Sequence, residues 1–244
     1  VEVDLRGRVQ ASLGSLAELS GTKVYPDNRL LTFAEFSKMN RPETGIIVKQ
    51  VAEWCSLQDI RSIKESYPQP EGNRRGKIVV FSSEPRQEEQ YFAVYPEYRE
   101  FYQGNPALRS ICERMRSETL ESIPANERES WEAHKWIVAV QWSNGSEPLA
   151  YDHVQHVHRD SIVASLTMEG SGTIAKVPNE DISKLHYSKI YDEADDMCGH
   201  TYQAAPGELM IINGVHYPGG GLHAAPQNNG SFPSRLTILV SIEK

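Results

Sequence analysis

With 244 residues, 39% of them hydrophobic and 24% charged, the chain has the length and composition of a globular protein able to bury a sizeable core. A formal net charge of −8 and a pI near 5.5 argue against a surface built to hold nucleic acid or anionic membranes, which wants a basic excess. Three widely spaced cysteines, Cys55, Cys112 and Cys198, leave no disulfide framework and no thiol cluster for zinc. No apolar run reaches the ~18 residues of a membrane span. The opening Val-Glu-Val-Asp is no basic, apolar leader, so a cytoplasmic protein is expected.

In chain order, residues 13–19 read as a short helix. Thr32 and Glu35 form a capping box for another, against the bland reading of an N-terminal arm. Residues 46–67 read as one helix, with Val51, Trp54, Ile60 and Ile63 on an apolar stripe and Pro68 closing it. Trp54 is expected in the core. A polar loop over 68–76 leads to a strand over 77–81. Residues 84–90 read as a charged connection. The aromatic run Tyr91, Phe92, Tyr95, Tyr98, Phe101 and Tyr102 either walls a substrate pocket or packs helix on sheet, and the packing reading is preferred. Asn105 caps a helix with Pro106 at its first position. Leu108, Ile111, Cys112, Met115 and Thr119 share one face of it, which makes Cys112 structural.

From Trp136 the period changes to that of strands. Residues 137–142 form one, with Gln141 on the face of Ile137 and Ala139. A turn at 144–146 precedes a strand over 151–160. The next strand covers 161–167, Gly170 to Gly172 turn the chain, and another strand spans 173–177. Residues 179–198 form a charged insertion. Its Asp192, Glu193, Asp195 and Asp196 lack the spacing of a calcium loop and read as a solvated face. After a turn at 206–208, residues 209–213 form a buried strand. Residues 236–242 are a continuous apolar strand suited to the middle of a barrel.

The chemistry-bearing residues cluster in this second half. His158 and Asp160 lie two apart and project to one side of a strand. Two imidazoles and one carboxylate on one face of an ion are the ligand set of non-haem Fe(II) with open positions. His223, just before the last apolar strand, is the candidate third ligand, and His216 competes with it. His156 shares the face of His158 but lines the cavity or supports a ligand; His153 points away. Arg235 follows His223 by twelve residues, and its guanidinium suits a carboxylate of 2-oxoglutarate. Thr237 shares that face and can add a hydroxyl, and Gln141 is a further candidate for contact with the co-substrate.

In this ordered set the chain resembles the Fe(II)/2-oxoglutarate-dependent dioxygenases. It is most similar to the small free-amino-acid hydroxylases of the L-isoleucine 4-hydroxylase type. The segments that carry the likeness are 105–108, the strand 137–142 leading into His158-Arg159-Asp160, and 206–242. The resemblance implies iron held by His158, Asp160 and His223, Arg235 as the 2-oxoglutarate anchor, and Asp160 as a mark of oxygenation rather than halogenation. Residues 168–173 depart from the Gly-Gly-Glu/Asp turn of many relatives, which puts the register of the following strand in question. The expected fold is α+β, a double-stranded β-helix or jelly roll over residues 136–244. The mainly helical residues 1–135 pack outside it, all in one domain. The expected activity is O2-dependent oxidation of an unactivated C–H bond in a small polar metabolite, a free amino acid or derivative: hydroxylation first, desaturation or cyclisation otherwise. Ascorbate is expected to help in vitro. No nucleic acid or membrane partner is expected. Two rivals are a cupin-like metalloenzyme that ignores 2-oxoglutarate and a non-catalytic jelly-roll binding module.

Overall fold

A computed structural model describes residues 32–39, 45–68, 77–143, 161–178, 198–214, 221–224 and 235–243. Its elements in chain order are α1 (Phe33–Met39), β1 (Ile46–Gln50), a 3-10 turn (Ala52–Trp54), α2 (Leu57–Ser66), β2 (Lys77–Ser82), α3 (Pro85–Val94), α4 (Pro96–Gly104), α5 (Pro106–Glu121) and α6 (Ala125–Glu132). Seven strands follow: β3 (Lys135–Ser143), β4 (Ser161–Gly170), β5 (Ile174–Pro178), β6 (Cys198–Gln203), β7 (Glu208–Asn213), β8 (Leu222–Ala224) and β9 (Arg235–Glu243).

The strands form an antiparallel six-stranded sheet, ordered β1-β7-β4-β9-β3-β2, and a three-stranded sheet, ordered β6-β5-β8. From β3 onward the chain passes back and forth between the two. This is the jelly-roll winding of a double-stranded β-helix, in an α+β protein. β9 lies between β4 and β3, as its mainly apolar run predicts.

The large sheet separates two cores. Its outer face carries Val138, Val140, Ala164, Leu166, Leu209, Ile211, Leu236, Ile238 and Val240, which pack under the helices with Ile63, Leu108, Ile111 and Met115. Each such buried side chain contributes about 1.5–3 kcal/mol by leaving water. Its inner face meets the small sheet through Ile46, Val48, Met210 and Ile212 on one side and Ala175 and Tyr202 on the other. Phe36 of α1 stacks on Tyr202 at 4.6 Å and closes that end.

Local signals explain most boundaries. Thr32 and Glu35 form the expected box: Glu35 N–H donates to Thr32 Oγ1 and the Thr32 N–H to Glu35 Oε2. Asn105 Oδ1 accepts from Leu108 N–H at 3.0 Å, with Pro106 at the first position of α5. Cys112 is fully buried among the α5 core residues. Tyr98, Phe101 and Tyr102 pack between helix and sheet, while Tyr91 and Tyr95 border an outer groove with Val79, Val94 and Ile137.

Three expectations are corrected. Residues 46–67 are not one helix: Ile46, Val48 and their neighbours form β1, paired with β7. Alternation of buried and half-buried positions overrides the helical stripe. The helix starts only at Leu57, where Ser56 and Asp59 form a second capping box. Residues 84–90 belong to α3, with Pro85 at its first position. The front half is therefore not only an outer helical layer, since β1 and β2 extend the large sheet. The expected helix at 13–19, the loop at 69–76, the strand at 151–160 and most of the insertion at 179–197 lie outside the described residues. Among the described residues no helix is long and apolar enough to cross a membrane.

Candidate functional site

The inner face of the large sheet carries a polar row. Gln141 of β3, Thr237 of β9, Thr167 of β4, Glu208 of β7 and Gln50 of β1 stand in register across five strands. Residues directly opposite in an antiparallel ladder point to the same side, so the row faces the interior from Gln141 to Glu208, with Gln50 exposed at its β1 end. Arg235 lies two positions before Thr237 and projects to the same face. Its cross-strand neighbours are Ser143 and Gly170. Burial is deep for such polar groups: Arg235 is 2% exposed, Gln141 4%, and Thr167 and Thr237 0%.

The small sheet brings His223 to the same interior. In β8 it pairs with Ala175, which in turn pairs with Tyr202, and both of these belong to the inner core. His223 is 5% exposed. Its Nδ1 lies 3.3 Å from the Gly221 carbonyl oxygen. With the proton on Nδ1, the imidazole donates to that oxygen and presents the Nε2 lone pair, the tautomer that binds a metal ion. Gly221 permits the approach of this strand: a Cβ there would lie 2.6 Å from Ile46 Cγ1 and 2.8 Å from Ile212 Cγ2.

Much of the polar row is internally satisfied. Glu208 Oε1 accepts from Gln50 Nε2 at 2.6 Å, and Oε2 accepts from the Tyr202 hydroxyl and from Ala205 N–H at 2.8 Å. Burial, and then the bond to the Glu208 carboxylate, push the Tyr202 phenol well above its ordinary pKa. Ser165 bonds Thr173 at 2.7 Å. In contrast, the Oγ1 atoms of Thr167 and Thr237 have no hydrogen-bond partner among the described residues. Buried orphan hydroxyls of this kind fit a ligand with acceptor oxygens.

Of the residues expected from sequence, Arg235, Thr237, Gln141 and His223 converge on this interior. His158, Asp160, His156, His153 and His216 lie outside the described residues. Among the described residues no group of three or more His, Cys, Asp or Glu is arranged to hold a metal ion. What fits iron here is one buried imidazole with its Nδ1 against a backbone carbonyl, and what fits 2-oxoglutarate is a buried guanidinium with a hydroxyl two residues on. Sequence reasoning passed over Thr167 and Glu208. The alternation Ala164-Ser165-Leu166-Thr167 carried the signal, since it sends both hydroxyls to one face of an otherwise apolar strand.

No family model matches the chain, and no curated protein matches it. Solved structures that align with the chain include the dioxygenase for auxin oxidation 1 from Arabidopsis thaliana in a 2-oxoglutarate complex (10% identity, 83% of this chain and 84% of that one, TM-score 0.44). A prolyl-4-hydroxylase from Pseudomonas putida aligns at 12% identity over 82% of this chain and 93% of that one, with a TM-score of 0.37. The non-heme alpha ketoglutarate dependent epimerase SnoN from nogalamycin biosynthesis aligns at 12% identity over 82% of this chain and 79% of that one, with a TM-score of 0.39. All three scores fall below 0.5, so the fold stands on the strand order and register described above.

Proposed function

We propose that the chain is an Fe(II)- and 2-oxoglutarate-dependent oxygenase that oxidises an unactivated C–H bond of a small polar metabolite, a free amino acid or derivative, by hydroxylation. The observation that carries this reading is the buried Arg235–Thr237 pair facing the same interior as His223. A guanidinium is costly to bury unless its donors are used, and its planar fork matches a carboxylate. In this reading Arg235 grips the far carboxylate of 2-oxoglutarate, Thr237 donates its hydroxyl to the same group, and the Gln141 amide stands beside them in register. His223 is one iron ligand, and His158 and Asp160 complete the set by the sequence reading. Bound Fe(II) and 2-oxoglutarate supply the O2-dependent oxidation, with succinate and CO2 as co-products. The protein's part is to orient the co-substrate and keep the interior dry. The amino-acid substrate rests on the resemblance, and the cytosolic setting that keeps iron ferrous on three cysteines too few and too scattered for a disulfide framework.

The test is visible absorption of the Fe(II)-loaded protein under argon, with and without 2-oxoglutarate, followed by succinate release in air with ascorbate and a panel of amino acids. A new absorption band that Arg235→Ala removes is the expected result, together with loss of turnover in Asp160→Ala. Iron bound without any response to 2-oxoglutarate would favour a cupin-like metalloenzyme. Failure to bind iron at all would leave a binding module.

A further inference from the structure

Two hydroxyls in the interior are not used by the fold. Thr167 and Thr237 stand directly opposite each other on β4 and β9, both fully buried, and neither Oγ1 has a partner among the described residues. Native interiors rarely tolerate one such group, and here two share a rung of the same ladder. Their neighbours differ. Ser165, two residues earlier on the Thr167 face, is bonded to Thr173, and Glu208, opposite Thr167 on β7, has both oxygens engaged. Polar satisfaction in this part of the core is thus the rule, and the two threonines break it together.

Backbone walls Thr167 where a side chain would otherwise crowd it. A Cβ at Gly172 would fall 2.3 Å from Thr167 Oγ1 and 2.3 Å from the Ala204 carbonyl oxygen. Only a glycine fits there with the hydroxyl in place. Across the β4–β9 ladder, Arg235 is the diagonal neighbour of Thr167, a spacing that long side chains bridge.

We infer that Thr167 is a second hydroxyl donor to the far carboxylate of 2-oxoglutarate, acting from β4 as Thr237 does from β9. This rests on the oxygenase reading above. The stoichiometry is right: a carboxylate offers about four lone-pair sites, of which a guanidinium fork takes two and a pair of hydroxyls the others. Donors from two adjacent strands also fix how deep the carboxylate sits, and so the distance from it to the keto acid end.

Calorimetric titration of the Fe(II)-loaded protein with 2-oxoglutarate under argon tests this, alongside thermal melting without 2-oxoglutarate. Thr167→Val keeps the side chain's shape and removes only the hydroxyl. It should weaken 2-oxoglutarate binding roughly tenfold, the worth of one hydrogen bond to a charged group. Its melting temperature should be no lower than the parent's, because no hydrogen bond of the fold is lost. Thr167→Ser should restore binding. Parent-like affinity in Thr167→Val would overturn the inference and leave the hydroxyl facing a buried water. A melting temperature well below the parent's, restored by Thr167→Ser, would overturn it in favour of a structural role. If the parent itself gives no heat with 2-oxoglutarate, the oxygenase reading falls and this inference with it. A parent that binds and a valine variant that binds equally well sink this inference alone.

Discussion

Replacing Glu208 with alanine should loosen the join between the two sheets. Glu208 opens β7 in the large sheet, and its carboxylate holds the Tyr202 hydroxyl of β6 in the small one. Three donors lose their acceptor, but not at equal cost. Gln50 is exposed and Ala205 lies at the surface, so both turn to water. The Tyr202 hydroxyl is buried and would be stranded, which costs about 1–3 kcal/mol, and the lost charge-assisted bond adds about 1.5 kcal/mol. A total of about 3 kcal/mol lowers the melting temperature by roughly 6–12 °C in a chain of this size. Tyr202→Phe removes the same bond from the other side and should cost less, since Glu208 keeps two donors. Urea denaturation of both single variants and the double variant gives the coupling. Strictly additive losses would refute the reasoning, because they would mean that carboxylate and phenol act independently.

Gly172→Ala should cost about 1–3 kcal/mol, because the new methyl meets a carbonyl oxygen that cannot move without the β6–β7 turn; an unchanged urea midpoint would contradict this. Gly221→Ala meets Ile46 Cγ1 and Ile212 Cγ2, branch atoms held close to the backbone of two packed strands, so its stability loss should also be about 1–3 kcal/mol. It displaces the strand that carries His223 as well, and iron affinity measured by equilibrium dialysis should fall, with partial recovery when Ile46→Ala removes the Cγ1 it meets. Alkaline pH should destabilise the fold. Burial raises the Tyr102 and Tyr202 phenols, helped by nearby negative charge. Above about pH 10 the unfolded chain releases phenol protons that the folded one retains, so this contribution is full below that pH and is lost as pH rises. Urea midpoints at pH 8 and pH 10.5 should differ less in the two Tyr→Phe variants than in the parent.

The second half of the chain was legible where a strand is buried on both faces. Residues 209–213 and 236–242 are mainly apolar runs, and both are central strands. β1 was misread because Ile46, Ile47 and Val48 merge into a helical stripe with Val51 and Trp54; the Ser56–Asp59 box, well inside the supposed helix, marks the real start. β6 escaped notice because Cys-Gly-His-Thr-Tyr-Gln shows no apolar alternation, and β8 is three residues long. Period-two spacing alone puts Arg235 and Thr237 on one face. Thr167 could not be ranked that way, since a threonine inside an apolar strand usually bonds backbone, and only the register shows it facing Thr237.

Both margins of the six-stranded sheet, β1 and β2, come from the first third of the chain. Chain ends or splices placed near residue 135 would strip β7 and β3 of their outer neighbours and leave two rows of open amide and carbonyl groups. Such fragments would stick to one another edge to edge, so the barrel strands are not a module that can be lifted out.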